Sequence, residues 1–180
     1  MKISVYIATS LDGFIARENG DLDWLPGSDG SEGGSGEDYG YHQFMESVDV
    51  LVMGRHTYEM VIGFGEWPYE EKRVIVRSSK GVEIPEKLSK KVESKSCSPA
   101  ELVEELRQTG AKHLYIDGGK TIQGFLNAGL IQEMIITLVP VLIGSGIPLF
   151  GKLNQDKKLE LIENRSFDNG FVQSKYKILE

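Results

Sequence analysis

Cysteine is almost absent: Cys97 stands alone, so no disulfide can close within the chain. Its polar surroundings, Ser94 to Pro99, offer no second thiol for a metal or redox pair. Histidine is scarce too, at three residues. No Ser-His-Asp, Cys-His or metal-ligand spacing is found, so hydrolase chemistry and a bound metal lose their usual carriers. Positive charge is in deficit. Against 27 Asp and Glu stand 20 Lys and Arg, a formal net charge of −7, which argues against nucleic acid as the partner while allowing a local cationic patch. Long apolar runs are missing as well. Met134 to Ile143, the longest, is interrupted by Thr137 and Pro140 and falls far short of a bilayer span. Lys2 opens an alternating pattern rather than an apolar signal segment. These absences together predict a cytoplasmic protein with no membrane partner.

What is present reads as one α/β domain over residues 1–180, long enough to enclose its own core. Lys2 to Thr9 alternates as a strand, Ser10-Leu11-Asp12-Gly13 turns, and Phe14 to Ala16 resumes an extended run. Gly27 to Glu37 is built almost wholly of Gly, Ser, Asp and Glu, a composition that predicts a mobile loop. A short helix is expected from Asp38, with Tyr41, Phe44 and Met45 at helical spacing. Val48 to Met53, Arg73 to Arg77, Val92 to Ser96 and His113 to Ile116 read as strands. Thr57 to Ile62 and Thr121 to Ala128 read as helices, and Ser98-Pro99-Ala100-Glu101 signals a helix start running to Gln108. The last third is expected to be all strand, from Glu133 through Phe150. It closes with a hairpin, Leu159 to Phe167 and Phe171 to Leu179, around Asp168-Asn169-Gly170. Strand-helix alternation followed by a hairpin predicts a mostly parallel central sheet with helices on both faces and antiparallel strands at one edge.

The chemistry is expected at the carboxyl ends of the strands, where turns present backbone N–H groups and helix N-termini. Gly54-Arg55-His56-Thr57 combines a close backbone approach, a fixed cation and a hydroxyl. In Asp117-Gly118-Gly119-Lys120-Thr121 the paired glycines leave room for a pyrophosphate. Arg77-Ser78-Ser79-Lys80 adds cations and hydroxyls suited to the 2′-phosphate that separates NADPH from NADH. A Walker loop needs a glycine where Leu114 stands, and the three-glycine dinucleotide fingerprint is missing.

Gly54-Arg55-His56-Thr57-Tyr58-Glu59 resembles the Gly-Arg-x-Thr-aromatic-Glu element of dihydrofolate reductases. Arg77-Ser78-Ser79 and Gly118-Gly119-Lys120-Thr121-Ile122 follow in the order and spacing of that fold's further cofactor turns. Ser10 to Ala16 and Pro140 to Gly146 are closer to a sister group, the reductase domain of riboflavin-biosynthesis enzymes and its stand-alone relatives. The resemblance spans nearly the whole chain. It implies a dihydrofolate reductase-like three-layer sandwich and NADPH as hydride donor. The cofactor would be held by Ala8, Gly54, Arg55, Thr57, Arg77, Ser78, Ser79, Gly118, Gly119, Lys120 and Thr121. A homodimer and a small heterocyclic (pterin- or pyrimidine-like), imine or carbonyl substrate are implied as well, the alternatives being a genuine dihydrofolate reductase of low activity or a non-catalytic NADPH-binding protein. No zinc deaminase signature accompanies these motifs.

Hydride transfer to a C=N bond needs a group that orients the ring and supplies a proton. Asp38, counted back from Gly54, matches the acidic residue of the dihydrofolate reductase substrate helix; its plain alternative is a helix cap. Asp12 is the rival, beside the expected nicotinamide site, with a turn as its plain alternative. Trp24 is expected either to cover the substrate ring or to anchor its loop.

Overall fold

Runs such as Val50-Leu51-Val52-Met53 and Val74-Ile75-Val76 bury both sides of the strand they form, which is stable only where helices cover both faces of the sheet. The computed structural model, which describes residues 1–27, 36–69 and 72–179, has that architecture. Its strands are β1 (Lys2–Ser10), β2 (Phe14–Ala16), β3 (Val50–Gly54), β4 (Arg73–Arg77), β5 (Val92–Lys95), β6 (His113–Asp117), β7 (Glu133–Val139), β8 (Ile147–Pro148), β9 (Leu159–Ser166) and β10 (Val172–Ile178). The main sheet runs β5-β4-β3-β6-β1-β7-β10-β9, and β2 pairs with β8 in a small second sheet. From β5 to β7 every pairing is parallel; β10 lies antiparallel to both β7 and β9.

The helices are α1 (Tyr41–Ser47), α2 (Arg55–Gly63), α3 (Pro99–Gln108) and α4 (Gly119–Asn127). Leu102 and Leu106 of α3 and Ile122 and Phe125 of α4 pack with Val5, Val52, Ile75 and Ile116 on one face. Phe44 of α1 and Tyr58 and Val61 of α2 pack with Leu51, Met53, Val76 and Tyr115 on the other. Leu102, Leu106, Ile122 and Phe125 have no solvent exposure, and each such side chain contributes about 1.5–3 kcal/mol. The result is a three-layer sandwich with a mostly parallel sheet. At the start of α3, Ser98 Oγ accepts from the Glu101 N–H at 3.3 Å and Glu101 Oε2 from the Ser98 N–H at 2.8 Å, a reciprocal cap.

Two expectations change. Both α2 and α4 begin two residues before the positions periodicity marked, because each helix starts directly at its glycine turn with no intervening loop. The last third is not all strand: after β7 only Ile147–Pro148 pairs before β9. Pro140 has no N–H to continue the ladder, and Gly144 takes a left-handed φ of 78°. Of the loop predicted from Gly27 to Glu37, residues 28–35 lie outside the described residues. The hairpin forms as expected, with Gly170 at φ 84° and its N–H donated to the Phe167 carbonyl.

Candidate active site

The parallel register brings the three turns together. Gly54 sits opposite Arg77, and Met53 opposite Asp117, so the carboxyl ends of β4, β3 and β6 form one continuous rim. The two glycine turns interlock across it. A Cβ on Gly54 would stand 2.8 Å from Thr121 Oγ1, and a Cβ on Gly118, whose φ is 87°, would collide with Thr57 Oγ1. Each threonine in the first turn of one helix therefore fills the space left by the other turn's glycine. This holds the N-termini of α2 and α4 side by side, with their unpaired N–H groups and positive dipole ends at the same rim. Gly119 lies beneath the small sheet: a Cβ there would be 3.1 Å from the Pro148 carbonyl oxygen and 3.2 Å from Ile15 Cδ1.

The cations of this rim are not equivalent. Arg55 is half-buried at the start of α2, its Nε 3.6 Å from Glu59. Lys80 and Lys120 are exposed, as is Ser79, while Ser78 Oγ donates to the Gly81 carbonyl at 2.8 Å. Arg77, expected at the 2′-phosphate, turns instead into the α3–α4 face. There its guanidinium donates to the Cys97 carbonyl at 3.0 Å and lies 5.7 Å from the centre of the Phe125 ring. Its Nε is buried without a partner among the described residues.

Asp117, read from the sequence only as the first residue of a glycine turn, stands at the same rim. Alternation along β6 puts His113, Tyr115 and Asp117 on the α1–α2 face, and Asp117 ends that row at the rim. Its Oδ1 accepts from the Gly118 N–H at 2.8 Å. Burial raises its pKa to about 6, against the lowering effect of that N–H. Around it stand Tyr41, Tyr69 and Tyr115, each of whose hydroxyls is shifted up first by burial and then by the Asp117 charge. Tyr115 donates to the Tyr6 carbonyl at 2.8 Å, and Tyr6 to the Tyr39 carbonyl at 2.9 Å. The hydroxyls of Tyr41 and Tyr69 have no hydrogen-bond partner among the described residues. Beside Tyr69, at 5.3 Å between ring centres, Trp67 buries an indole N–H that also lacks one. The available signal was periodicity: once β6 is a strand, the alternation of His113 and Tyr115 places Asp117 on their face.

The two carboxylates singled out from sequence are held in other work. Asp38 accepts from the N–H groups of Gly40 at 2.9 Å and His42 at 3.0 Å, bonds that hold it below the usual carboxylate range; it caps α1. Asp12 accepts from Ser10 Oγ at 2.6 Å and from the Gly144 N–H at 2.8 Å. It ties the turn after β1 to the segment after β7, and the Ser10 bond foremost lowers its pKa. Trp24 packs with Val139, Phe171 and Ala8 in a third apolar cluster, its indole N–H buried and unpartnered among the described residues. A groove of about 400 Å³ also opens between α1 and the antiparallel strands, lined by Tyr6, Phe44, Arg165, Gln173 and Lys175. None of the glycine turns borders it. At the rim, by contrast, helix N-termini, glycines and the Asp117 carboxyl converge.

An α/β sandwich with this strand order and interlocked turns at its carboxyl rim is a reductase fold of the dihydrofolate reductase-like kind. The model of the RibD C-terminal domain matches residues 1–173, and the chain belongs to that family. It is 35% identical over 168 residues to YwjB, an uncharacterized protein of Bacillus subtilis (strain 168), covering 92% of either chain. A crystal structure of a Shewanella sp. PV-4 protein named for riboflavin biosynthesis superposes with a TM-score of 0.91 at 40% identity, covering each chain completely. The Thermotoga maritima diaminohydroxyphosphoribosylaminopyrimidine deaminase/5-amino-6-(5-phosphoribosylamino)uracil reductase shares the fold, with a TM-score of 0.73 at 15% identity, over 99% of this chain and 56% of that one.

Proposed function

We propose that the protein is an NADPH-dependent reductase of a small pyrimidine-like heterocycle, with the rim of β3, β4 and β6 as cofactor site and Asp117 as the carboxyl group that meets the substrate. The carrying observation is the interlock of Gly54 with Thr121 and of Gly118 with Thr57 directly beside an enclosed carboxyl. The cofactor residues fit the group on the ground that the interlocked turns present two helix N-termini to an anion at one rim. In this reading Gly54, Gly118, Gly119, Thr57 and Thr121 form the cradle, Arg55, Lys80 and Lys120 face the phosphates, and Arg77 holds β4 to α4. Bound NADPH supplies the hydride. Asp117 holds the ring by its N–H groups and passes a proton to the reduced nitrogen, which a carboxyl with a pKa of about 6 does near neutral pH. Tyr41 and Tyr69, kept neutral by burial, remain hydroxyl donors across the ring.

Membership of a reductase family supports an oxidoreductase of pyrimidine-like rings. A genuine dihydrofolate reductase draws no support from Asp38, whose carboxylate caps α1. A homodimer belongs to the same proposal: the exposed Leu161 and Ile162 on edge strand β9 offer a surface for it, and sedimentation tests it. The direct test is an equilibrium titration with NADPH. Arg55→Ala is expected to weaken binding by about 1.5–3 kcal/mol, the worth of a charged hydrogen bond; unchanged affinity removes Arg55 from the site.

A further inference from the structure

The segments that follow β1 and β7 are built as one plate standing above the rim. Val5 is level with Ile116, one residue short of the end of β6, whereas β1 and β7 stay paired up to Ser10 and Val139. Beyond that point Phe14–Ala16 pairs with Ile147–Pro148. The Leu11 N–H donates to the Val141 carbonyl at 2.8 Å and the Leu149 N–H to the Gly13 carbonyl at 3.0 Å. Asp12 clips the two segments together from an exposed position. Its Oδ2 accepts from the Gly144 N–H at 2.8 Å, and its Oδ1 from the Ile143 N–H at 3.3 Å and Ser10 Oγ at 2.6 Å. Ser10 Oγ accepts in turn from the Phe14 N–H at 3.0 Å. On the other flank Gln123 of α4 donates to the Pro148 and Leu149 carbonyls at 3.1 and 3.3 Å. The plate meets the first residue of α4: a Cβ on Gly119 would stand 3.2 Å from Ile15 Cδ1 and 3.3 Å from Ile147 Cγ2.

We propose that Asp12 is a positioning residue for the dinucleotide: it fixes the plate as a raised wall beside the glycine turns, and cutting the clip lets a bound dinucleotide leave sooner. This rests on the cofactor reading above. The plate is two chain segments whose tips are more than a hundred residues apart, Asp12 reaching Ile143 and Gly144 across 131 and 132 positions, so it keeps its shape only while the tips are tied. A carboxylate is suited to the task because it accepts from several donors at once, through charge-assisted bonds. Asparagine in its place keeps one acceptor oxygen and turns N–H groups toward the remaining donors. The clip shares no residue with the interlock of Gly54, Thr57, Gly118 and Thr121. Its loss therefore loosens the wall and leaves the phosphate-facing turns intact, an effect that belongs to dissociation rather than association.

The test uses the intact chain and two readouts: stopped-flow dissociation of NADPH, followed by nicotinamide fluorescence, and amide hydrogen exchange of the free protein by NMR. Asp12→Ala is expected to raise the NADPH dissociation rate about tenfold, with the association rate within about twofold of the parent. In the free protein the same variant should speed exchange at Leu11, Ile143, Gly144 and Leu149 and leave the amides of β3 and β6 as protected as before. Asp12→Asn, with one acceptor retained, should raise dissociation by about threefold, and it carries the comparison if the alanine variant does not fold. Gln123→Ala, which cuts the opposite flank, should act in the same direction. Dissociation unchanged in both Asp12 variants overturns the proposal. Faster exchange throughout β3 and β6 overturns it as well, since Asp12 then serves general stability. NADPH binding by the parent is measured first, and its absence sinks the cofactor reading and this inference with it.

Discussion

The two sides of the β6 carboxyl end differ in almost every physical respect. Toward β3 and β4 lie glycines, threonine hydroxyls, two helix N-termini and solvent-facing cations. Toward α1 and the segment carrying Trp67 and Tyr69 lie aromatic rings and a carboxyl whose own ionisation is suppressed by burial. One residue joins them. Gly118 has the left-handed backbone that admits Thr57 Oγ1 against it, and its N–H donates to Asp117 Oδ1. The two environments thus meet within a single turn of chain.

The strongest way to break the contrast is to fill the shared residue. Gly118→Val combines a strained positive φ with a collision against Thr57 Oγ1, and should cost about 3 kcal/mol in urea unfolding as well as NADPH binding. Next comes the acid side. The native Asp117 pKa of about 6 stands above the ordinary 3.8, so the folded state holds this proton more tightly than the unfolded state. That contribution to stability is complete below the unfolded pKa and is lost as pH rises through about 6. Asp117→Asn should consequently be more stable than the parent at pH 8, by about 2 kcal/mol, with the difference vanishing near pH 4 in thermal unfolding, while substrate binding falls. Arg77→Ala sharpens the cofactor side: with the guanidinium held by Cys97 and Phe125, the loss should be about 1.5 kcal/mol of stability, with NADPH and NADH affinities shifted equally. A selective loss of NADPH would return Arg77 to the phosphates. The smallest effect is expected at Asp38→Ala, about 1 kcal/mol for a helix cap, with ring affinity in the NADPH complex unchanged.

Arg73–Arg77 and the Ser98-Pro99 helix start were legible to the residue, because β-branched runs and capping residues act locally. The glycine turns were legible as a set. Their partners were not: nothing within Gly54-Arg55-His56-Thr57 says that Thr57 packs against Gly118, since that contact joins residues 61 positions apart through the order of strands. Asp38 and Asp12 drew attention by their places in motifs, yet each has backbone N–H groups within reach, and a carboxylate so placed is engaged before any substrate arrives. Asp117 was read only as part of a glycine turn, and its pKa depends on rings from α1 and from the segment after α2 that converge only in three dimensions.

Local chemistry in the chain thus determined the strands, the capped helix, the hairpin and the presence of phosphate-suited turns, because each depends on neighbours a few residues away. Tertiary structure decided which side of the rim is polar, where Arg77 points and which carboxyl has its pKa raised. Those outcomes depend on desolvation and charge pairing, and both are set by what packs against a residue rather than by what precedes it.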